Sequence, residues 1–328
     1  MDRILITGGS GFIGANVARF AVASGNLVLN LDTREPLIGR SYGSWQAIDI
    51  RIKDDVSEVV KDFAPTRIIH LASDTDVSLV RRQDFATTLN GTENVIYAAK
   101  SAQQLKSFIH VSTQFVVRPG VVPTSEHHLD PYTVYGEAKA ETERMVWRAE
   151  LTVPWLILRP TIIWGPHHPS FANNIFKYIR NRSYLHPAAS SKIMRTFGYV
   201  ENSAEQIHEL SVLAPKIQDK KVFYIGDECL DYDEWTDLFS IGLSGARAKR
   251  IPLRLLKALG LAGDFFKFVG LKAPIDSGRV FRMSTSSAID ISSTISTVGA
   301  PRIGLEAGVA ETLRWLRQEY SEDPSLCL

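Results

Sequence analysis

The sequence predicts a doubly wound α/β fold: a parallel sheet covered by helices on both faces, with a smaller C-terminal portion interleaved with it. Three observations carry that expectation. Short Val/Ile/Leu-rich runs recur at Arg3 to Thr7, Leu27 to Asp32, Arg67 to Ala72, Ser107 to Ser112 and Trp155 to Arg159. They are continuously apolar rather than alternating, as strands buried on both faces must be. Helical patterns such as Gly11 to Ser24 and Leu89 to Ala102 stand between them, which is the βαβ order of an open parallel sheet.

The first strand runs into "TGGSGFIG", where Gly8, Gly11 and Gly14 recur at every third position before an amphipathic helix. Glycine loses more backbone entropy on folding than other residues, so such a cluster marks a place that needs unusual dihedrals or close approach to the main chain. At a strand-to-helix turn the three supply a tight bend, room for a pyrophosphate and helix-to-strand contact, with the phosphates at the helix N-terminus. The second strand, "NLVLNLD", ends in Asp32, eighteen residues after Gly14. A carboxylate there accepts hydrogen bonds from both adenosine ribose hydroxyls and repels a 2′-phosphate, which favours NAD over NADP. Arg34 close by argues the other way, since a guanidinium suits such a phosphate.

The strand "FIHVST" ends in Ser112 and Thr113, and a hydroxyl at the C-terminal end of a parallel strand sits on the edge where open sheets bind ligands. Downstream, "DPYTVYGEAKAETERMV" places Tyr135 and Lys139 four residues apart, on one helix face. A phenol titrates near about 10, too high for a base at neutral pH unless positive charge stabilises the phenolate. Lys139 and an oxidised nicotinamide would supply that charge, with Thr113 holding the reacting oxygen. Taken alone, Tyr and Lys at this spacing are a common surface pair.

After Pro160 the texture changes. "WGPHHPSF" is rich in turn residues, "KVFYIGD" at 221–227 reads as one more strand, and the stretch from Ile251 to Ala273 reads as two short amphipathic helices. A last helix, Leu305 to Tyr320, has apolar residues at helical spacing. The expected division is a dinucleotide domain over 1–165 with returning segments near 193–226, a substrate-binding portion over 166–192 and 227–304, and a C-terminal helix and tail over 305–328.

Composition narrows the class. Of 328 residues, 45% are hydrophobic and 22% charged, and 37 Lys and Arg oppose 36 Asp and Glu, so no overall field argues for nucleic acid. Cys229 and Cys327 lie outside any CxxC spacing, which indicates neither a disulfide framework nor a zinc site. His127/His128 and His167/His168 sit beside prolines, where adjacent side chains point apart, so no metal is expected; His70 reads as a core residue. With no transmembrane-length apolar run and no leader pattern, the expected location is the cytoplasm. The basic and apolar segment from Lys249 to Lys272 reads as a substrate lid or subunit-facing helix in preference to a peripheral membrane contact.

With these motifs in place the chain resembles the extended short-chain dehydrogenase/reductase family, in particular its NAD-dependent epimerase/dehydratase group acting on nucleotide sugars. "TGGSGFIG", Asp32, "AIDIR", "IIHLAS", "NGTENVIYAAK", "VST", "YGEAK", "LRPTIIWGP" and "RTFGYVEN" carry the resemblance over nearly the whole length. It implies a Rossmann-type sheet binding NAD through Gly8, Gly11, Phe12, Ile13, Gly14 and Asp32. Asp49 and Ile50 fall on the adenine side, and Leu71, Ala72 and Ser73 on the segment passing the ribose and phosphates. Thr88 and Pro160 also fall on cofactor positions, as do Tyr135 and Lys139, which form the catalytic set with Thr113. Asn174, Arg195 and Arg279 are similar in place to residues that hold a sugar nucleotide's diphosphate, for which bidentate guanidinium contacts are suited.

The resemblance also implies what the chain departs from. Gln114 and Phe115 replace the Asp-Glu of sugar 4,6-dehydratases, Gln114 is not the cysteine of some epimerases, Thr88 replaces a common Asn, and Ile162 stands where many nucleotide-sugar enzymes have Asn. The implied activity is epimerisation or oxidoreduction of a nucleotide sugar by hydride transfer at a sugar carbon, C4 first, in a homodimer. Two alternatives remain: a reductase or dehydrogenase of a keto-sugar or steroid-like alcohol, and an NAD-binding regulatory protein without turnover.

Overall fold

The computed structural model describes residues 1–36, 42–77, 79–271 and 273–322; Lys272 and Cys327 lie outside the described residues. In chain order the strands are β1 (Arg3–Thr7), β2 (Leu27–Asp32), β3 (Ser44–Ala47), β4 (Arg67–His70), β5 (Ser107–Val111), β6 (Trp155–Pro160), β7 (Ile162–Trp164), β8 (Leu185–Ala188), β9 (Met194–Tyr199), β10 (Val222–Ile225), β11 (Glu228–Asp231) and β12 (Lys249–Pro252). The helices are α1 (Phe12–Ala23), α2 (Lys53–Phe63), α3 (Ala86–Ser101), α4 (Val134–Arg148), α5 (Lys177–Arg180), α6 (Val200–Leu213), α7 (Tyr232–Ser244), α8 (Leu253–Phe268), α9 (Ser277–Ser284), α10 (Ser292–Val298) and α11 (Leu305–Glu322).

The chain divides into two compact units. The first comprises Met1–Ile163, Gly198–Asp227 and Asp290–Arg302. Among the described residues it holds a seven-stranded sheet in the order β10-β6-β5-β4-β1-β2-β3, every neighbouring pair parallel. The strand order reverses between β1 and β4, and open α/β sheets bind ligands at such a switch point, outside the carboxyl ends of the strands. Successive side chains of each strand feed opposite faces: Ile4 and Ile6 join a core with Val17, Ala21 and Ile207, while Leu5 joins one with Val56, Val60 and Val95. That two-sided burial is why these runs are continuously apolar.

The second unit comprises Trp164–Phe197, Glu228–Ile289 and Ile303–Leu328. Two short pairings organise it: β11 runs antiparallel to β9 from Glu228↔Phe197 to Asp231↔Met194, and β12 runs parallel to β8. Trp235 is its aromatic centre, stacked on Phe197 at 4.8 Å and packed against Phe239 at 4.8 Å.

Two elements differ from the sequence reading. Within the stretch from Ile251 to Ala273, Leu253–Phe268 form a single helix, α8, preceded by a strand, in place of two short helices: Gly260 falls on its packed side and does not break it. Asp290–Arg302 belongs to the first unit rather than the substrate-binding portion: Thr294 donates to the Tyr224 carbonyl at 2.6 Å and Arg302 pairs with Glu205 at 2.7 Å.

One buried ion pair ties α4 to the sheet. Arg159 in β6 is 1% exposed and Glu143 in α4 is fully buried. The guanidinium donates through Nη2 to Oε2 at 2.7 Å and through Nε to Oε1 at 2.9 Å, and Ser112 donates to Oε1 at 2.5 Å. Removing one partner of such a pair strands a charge in low dielectric, which costs about 3–5 kcal/mol, whereas a well-packed apolar replacement of both is tolerated. Glu143→Ala is therefore expected to lose that much stability in urea denaturation, and Glu143→Ala/Arg159→Met to regain most of it; equal losses in both variants would count against the pair.

Candidate active site

The glycine turn leaves β1 at the switch point. Gly8 has φ of 76°, the left-handed region, and a Cβ there would sit 2.7 Å from the Ala72 amide nitrogen. A Cβ on Gly14 would run into the Gly8 carbonyl, so the third glycine lets α1 lie against the turn. Gly11 is the N-cap of α1, with no side-chain cap and no acidic residue in the first turn, leaving the helix end without a negative group of its own. Phe12 and Ile13 begin the helix, and Ile13 packs on the first core. Bare backbone at a helix N-terminus is the donor set a diphosphate requires, so these residues fit a dinucleotide.

The surrounding positions are held by specific contacts. Asp32 accepts from the Ser10 amide at 3.1 Å and the Arg34 amide at 3.0 Å, while the Arg34 side chain is 76% exposed and lies 3.9 Å from the carboxylate. Asp49 is engaged by Arg51 at 2.5 Å, and this hydrogen bond holds its carboxyl below the usual range. Ile50 is buried against Gly91, where any Cβ would displace it. Leu71 and Ala72 donate to the carbonyl and hydroxyl of Thr7 at 3.0 and 3.3 Å. Thr88, fully buried, uses its hydroxyl on Ser73 at 3.0 Å and on the Asp74 amide at 2.9 Å, so it anchors the loop after β4 to α3. Asp74 completes that link by accepting from the Thr88 amide at 3.1 Å, a role the sequence reading does not assign. Pro160 ends β6, opposite Ile225 of β10.

Thr113, Tyr135 and Lys139 come together beside β5. Thr113 follows that strand and is buried, its hydroxyl accepts from the Phe115 amide at 3.3 Å, and it lies near enough to the Tyr135 phenol to ease that group's ionisation. Gly136 lets α4 press on the turn after Thr113, since a Cβ there would meet the Phe115 carbonyl. Phe115 packs edge-on to Tyr135 at 5.9 Å and stacks on Tyr132 at 5.7 Å, so the position that is acidic in dehydratases here makes the surroundings of the phenol apolar. Burial pushes Tyr135 up to about 12, with the Thr113 contact opposing it. Lys139 donates to the Val111 carbonyl at 2.8 Å, and burial pulls it down to about 8 against the attraction of Glu143. One of its three N–H donors is thus used on the main chain, and burial makes the phenol harder to ionise than a free one. Ionising Tyr135 requires added positive charge.

Glu143 and Arg159 are the residues the sequence reading passes over, although Glu143 lies on the Lys139 helix face at i+4 and Arg159 is a charge in an otherwise apolar strand. His70 is a hydrogen-bonded core residue, as its place in a strand predicts. His70 bonds Thr7 at 2.6 Å and Thr92 at 2.9 Å, and burial lowers it to about 3. His127 packs on Trp147 and His168 on Phe171. No metal-holding group of His, Cys, Asp or Glu forms among the described residues, and no described helix is long and apolar enough to cross a membrane.

In the second unit, Arg195 is buried with its guanidinium 3.8 Å from the Tyr232 ring centroid and bonds the Arg282 carbonyl. Arg279 donates to the Pro274 carbonyl at 2.8 Å. Both guanidinia act on Tyr184, whose phenol is raised mainly by burial and lowered by these two charges. Asn174 is exposed and donates to the Ser170 carbonyl at 2.9 Å. The structure brings the two arginines to one neighbourhood and gives Asn174 a partner on its own turn.

These features define a dinucleotide-type fold with a Thr/Tyr/Lys site at its sheet edge. The model of the NAD dependent epimerase/dehydratase family matches residues 4–226, and the chain belongs to that family. It is similar, at 25% identity over 330 aligned positions and 96% of this chain and 95% of the relative, to the N-acetyl-alpha-D-glucosaminyl-diphospho-ditrans,octacis-undecaprenol 4-epimerase of Escherichia coli O157:H7. It is 27% identical over 260 residues, 77% of this chain and 83% of the relative, to the dTDP-4-dehydrorhamnose reductase of Aggregatibacter actinomycetemcomitans. In fold it is similar to the UDP-glucose 4-epimerase of Thermotoga maritima, solved with UDP-glucose, with a TM-score of 0.75 and 21% identity over 97% of this chain and 99% of that one.

The lysine gives a pH signature. An unfolded lysine keeps, up to 10.5, the proton that folded Lys139 sheds near 8, so stability of the cofactor-free protein rises with pH across that window, by at most about 3 kcal/mol. Tyr135 acts oppositely above 10.0, where the unfolded phenol ionises first and favours unfolding. Urea denaturation over this range should show the rise in wild type and not in Lys139→Met; parallel curves would contradict the assignment.

Proposed function

We propose that this protein is an NAD-dependent enzyme that transfers hydride at a carbinol carbon, C4 first, of a diphosphate-linked sugar, with 4-epimerisation as the reaction. The observation that carries the reading is the Thr113/Tyr135/Lys139 cluster at the end of β5 in a unit whose glycine turn fits a diphosphate. Bound NAD would supply the hydride acceptor and, when oxidised, a positive charge. Gly8, Gly11 and Gly14 would receive the diphosphate, and Asp32 the adenosine ribose, with the loop from Leu71 to Ser73 alongside. Thr113 would orient the sugar hydroxyl, and Tyr135 would take its proton as the carbon–hydrogen bond breaks and return it when hydride comes back to the other face. Lys139 would hold the local field that favours the phenolate. Arg195 and Arg279 would bind the sugar's diphosphate.

Gln114 and Phe115 cannot titrate, which speaks against water elimination of the dehydratase kind. A keto-sugar reductase uses the same residues, and the likeness to dTDP-4-dehydrorhamnose reductase supports keeping it as the second reading. The likeness to an epimerase of an undecaprenol-linked sugar, which covers nearly all of both chains, supports extending the substrate class from nucleotide sugars to lipid-linked diphosphosugars.

The test begins with purified protein, denatured and assayed for released NAD(H), beside turnover assays on UDP-, dTDP- and polyprenol-linked sugars. An epimerase that recycles its hydride should carry cofactor near one per chain and interconvert epimers without added NAD; a reductase should need added NADH or NADPH. Tyr135→Phe should keep fold and cofactor while kcat falls about 10²- to 10⁴-fold. Gly11→Glu should fold but lose cofactor, because its carboxylate would occupy the helix N-terminus. Unchanged turnover in the first variant, or full cofactor content in the second, would remove the corresponding role.

A further inference from the structure

A helix packed on a soluble unit ordinarily turns its large apolar side chains inward and its charges outward. α8 turns most of its large apolar side chains outward as well. Its packed side is made of Leu256, Gly260 and Gly263: a Cβ on Gly260 would lie 3.0 Å from the Val280 side chain, and one on Gly263 would run into the Ile275 carbonyl. The bulky residues face away. Leu255, Leu259, Phe265 and Phe266 are exposed, and Phe268 is 88% exposed. Leu261, Phe265 and Phe268 follow one another at helical spacing on the side opposite Leu256, Gly260 and Gly263, and Leu255, Leu259 and Phe266 flank that stripe. Val269 and Leu271, also exposed, extend it past the helix end. The glycines fix the orientation: rolling α8 to bury its phenylalanines would need space the chain around Ile275 does not leave.

Cations outnumber carboxylates on α8 three to one. Asp264, the acidic residue of α8, accepts from the Ser277 amide at 3.1 Å. Lys267 is paired with Asp276, and Arg250 with Asp237 at 2.9 Å. Arg254 and Lys257 are exposed at the start of the apolar stripe and have no ion-pair partner among the described residues. Aromatic and leucine side chains beside uncompensated cations match an anionic bilayer surface, where the rings enter the acyl boundary and the cations meet lipid phosphates. A second copy on the same face would oppose these cations with cations of its own, which disfavours a two-fold interface there.

We propose that α8 and the Val269–Leu271 segment after it seat this protein on an anionic lipid surface, as a peripheral contact rather than a membrane span. The sequence reading prefers a lid or subunit-facing helix for this stretch; the outward apolar stripe reverses that preference. The proposal does not depend on the hydride chemistry, and its test uses no turnover. The full chain is floated with vesicles of phosphatidylcholine alone and with vesicles containing about one-third phosphatidylglycerol. Wild type should float with the anionic vesicles, weakly with the neutral ones, and less as salt rises. Phe266→Ser/Phe268→Ser should reduce anionic binding at least about tenfold, and Lys257→Glu about fivefold or more, with far-ultraviolet circular dichroism and melting unchanged. Three results would overturn it: wild type staying in solution with anionic vesicles, undiminished binding by both folded variants, or a wild-type dimer that ignores vesicles and that the double serine variant converts to monomer.

Discussion

The position of Tyr135 depends on α4 presenting a polar face to the sheet. Lys139 reaches the Val111 carbonyl, Glu143 receives Ser112 and Arg159, and Thr142 meets His110 at 2.9 Å. An apolar stripe could slide or rotate on its partner at little cost, because dispersion has no direction. Hydrogen bonds at 2.5–2.9 Å tolerate no such play, since they weaken steeply as the angle departs from linear. Turning α4 by one residue would break all of them at once. The helix is thereby fixed about its own axis, and the phenol one turn ahead of Lys139 is fixed with it.

The same logic links the two ends of the candidate site. β1, β4 and β5 are successive neighbours, so the glycine turn, the Leu71–Ala72 segment and Thr113 emerge side by side from one edge. Neighbouring strands lie about 4.8 Å apart, which sets about 10 Å between the turn after β1 and the hydroxyl after β5. Topology alone thus brings together residues more than a hundred positions apart in sequence, without any long loop to hold in place.

What the sequence makes legible is what local geometry or periodicity encodes. Gly8 and Gly14 are readable because no side chain fits where they stand, and Tyr135 with Lys139 because helical spacing sets their shared face. The partner of Lys139 is not readable: spacing gives a direction, while the Val111 carbonyl it meets belongs to a strand fixed by the sheet. Glu143 and Arg159 escape notice for the same reason: each is a single charge, on a helix face and in an apolar strand, and nothing local names the other as its partner. Asp290–Arg302 is assigned by one threonine bond and one ion pair to segments far up the chain, which no local pattern announces. In α8 the glycines that would suggest a break are the packing face, so composition alone divides a helix that contacts keep whole.

Asp32 carries a consequence for recognition. Two backbone amides, from Ser10 and Arg34, each hold one of its oxygens, so the carboxylate cannot swing about its side-chain torsions. Each oxygen keeps a second lone pair. A vicinal diol arriving at this strand end would meet an acceptor pair already frozen in one orientation, and the ordering entropy normally charged to binding would have been settled when the chain folded.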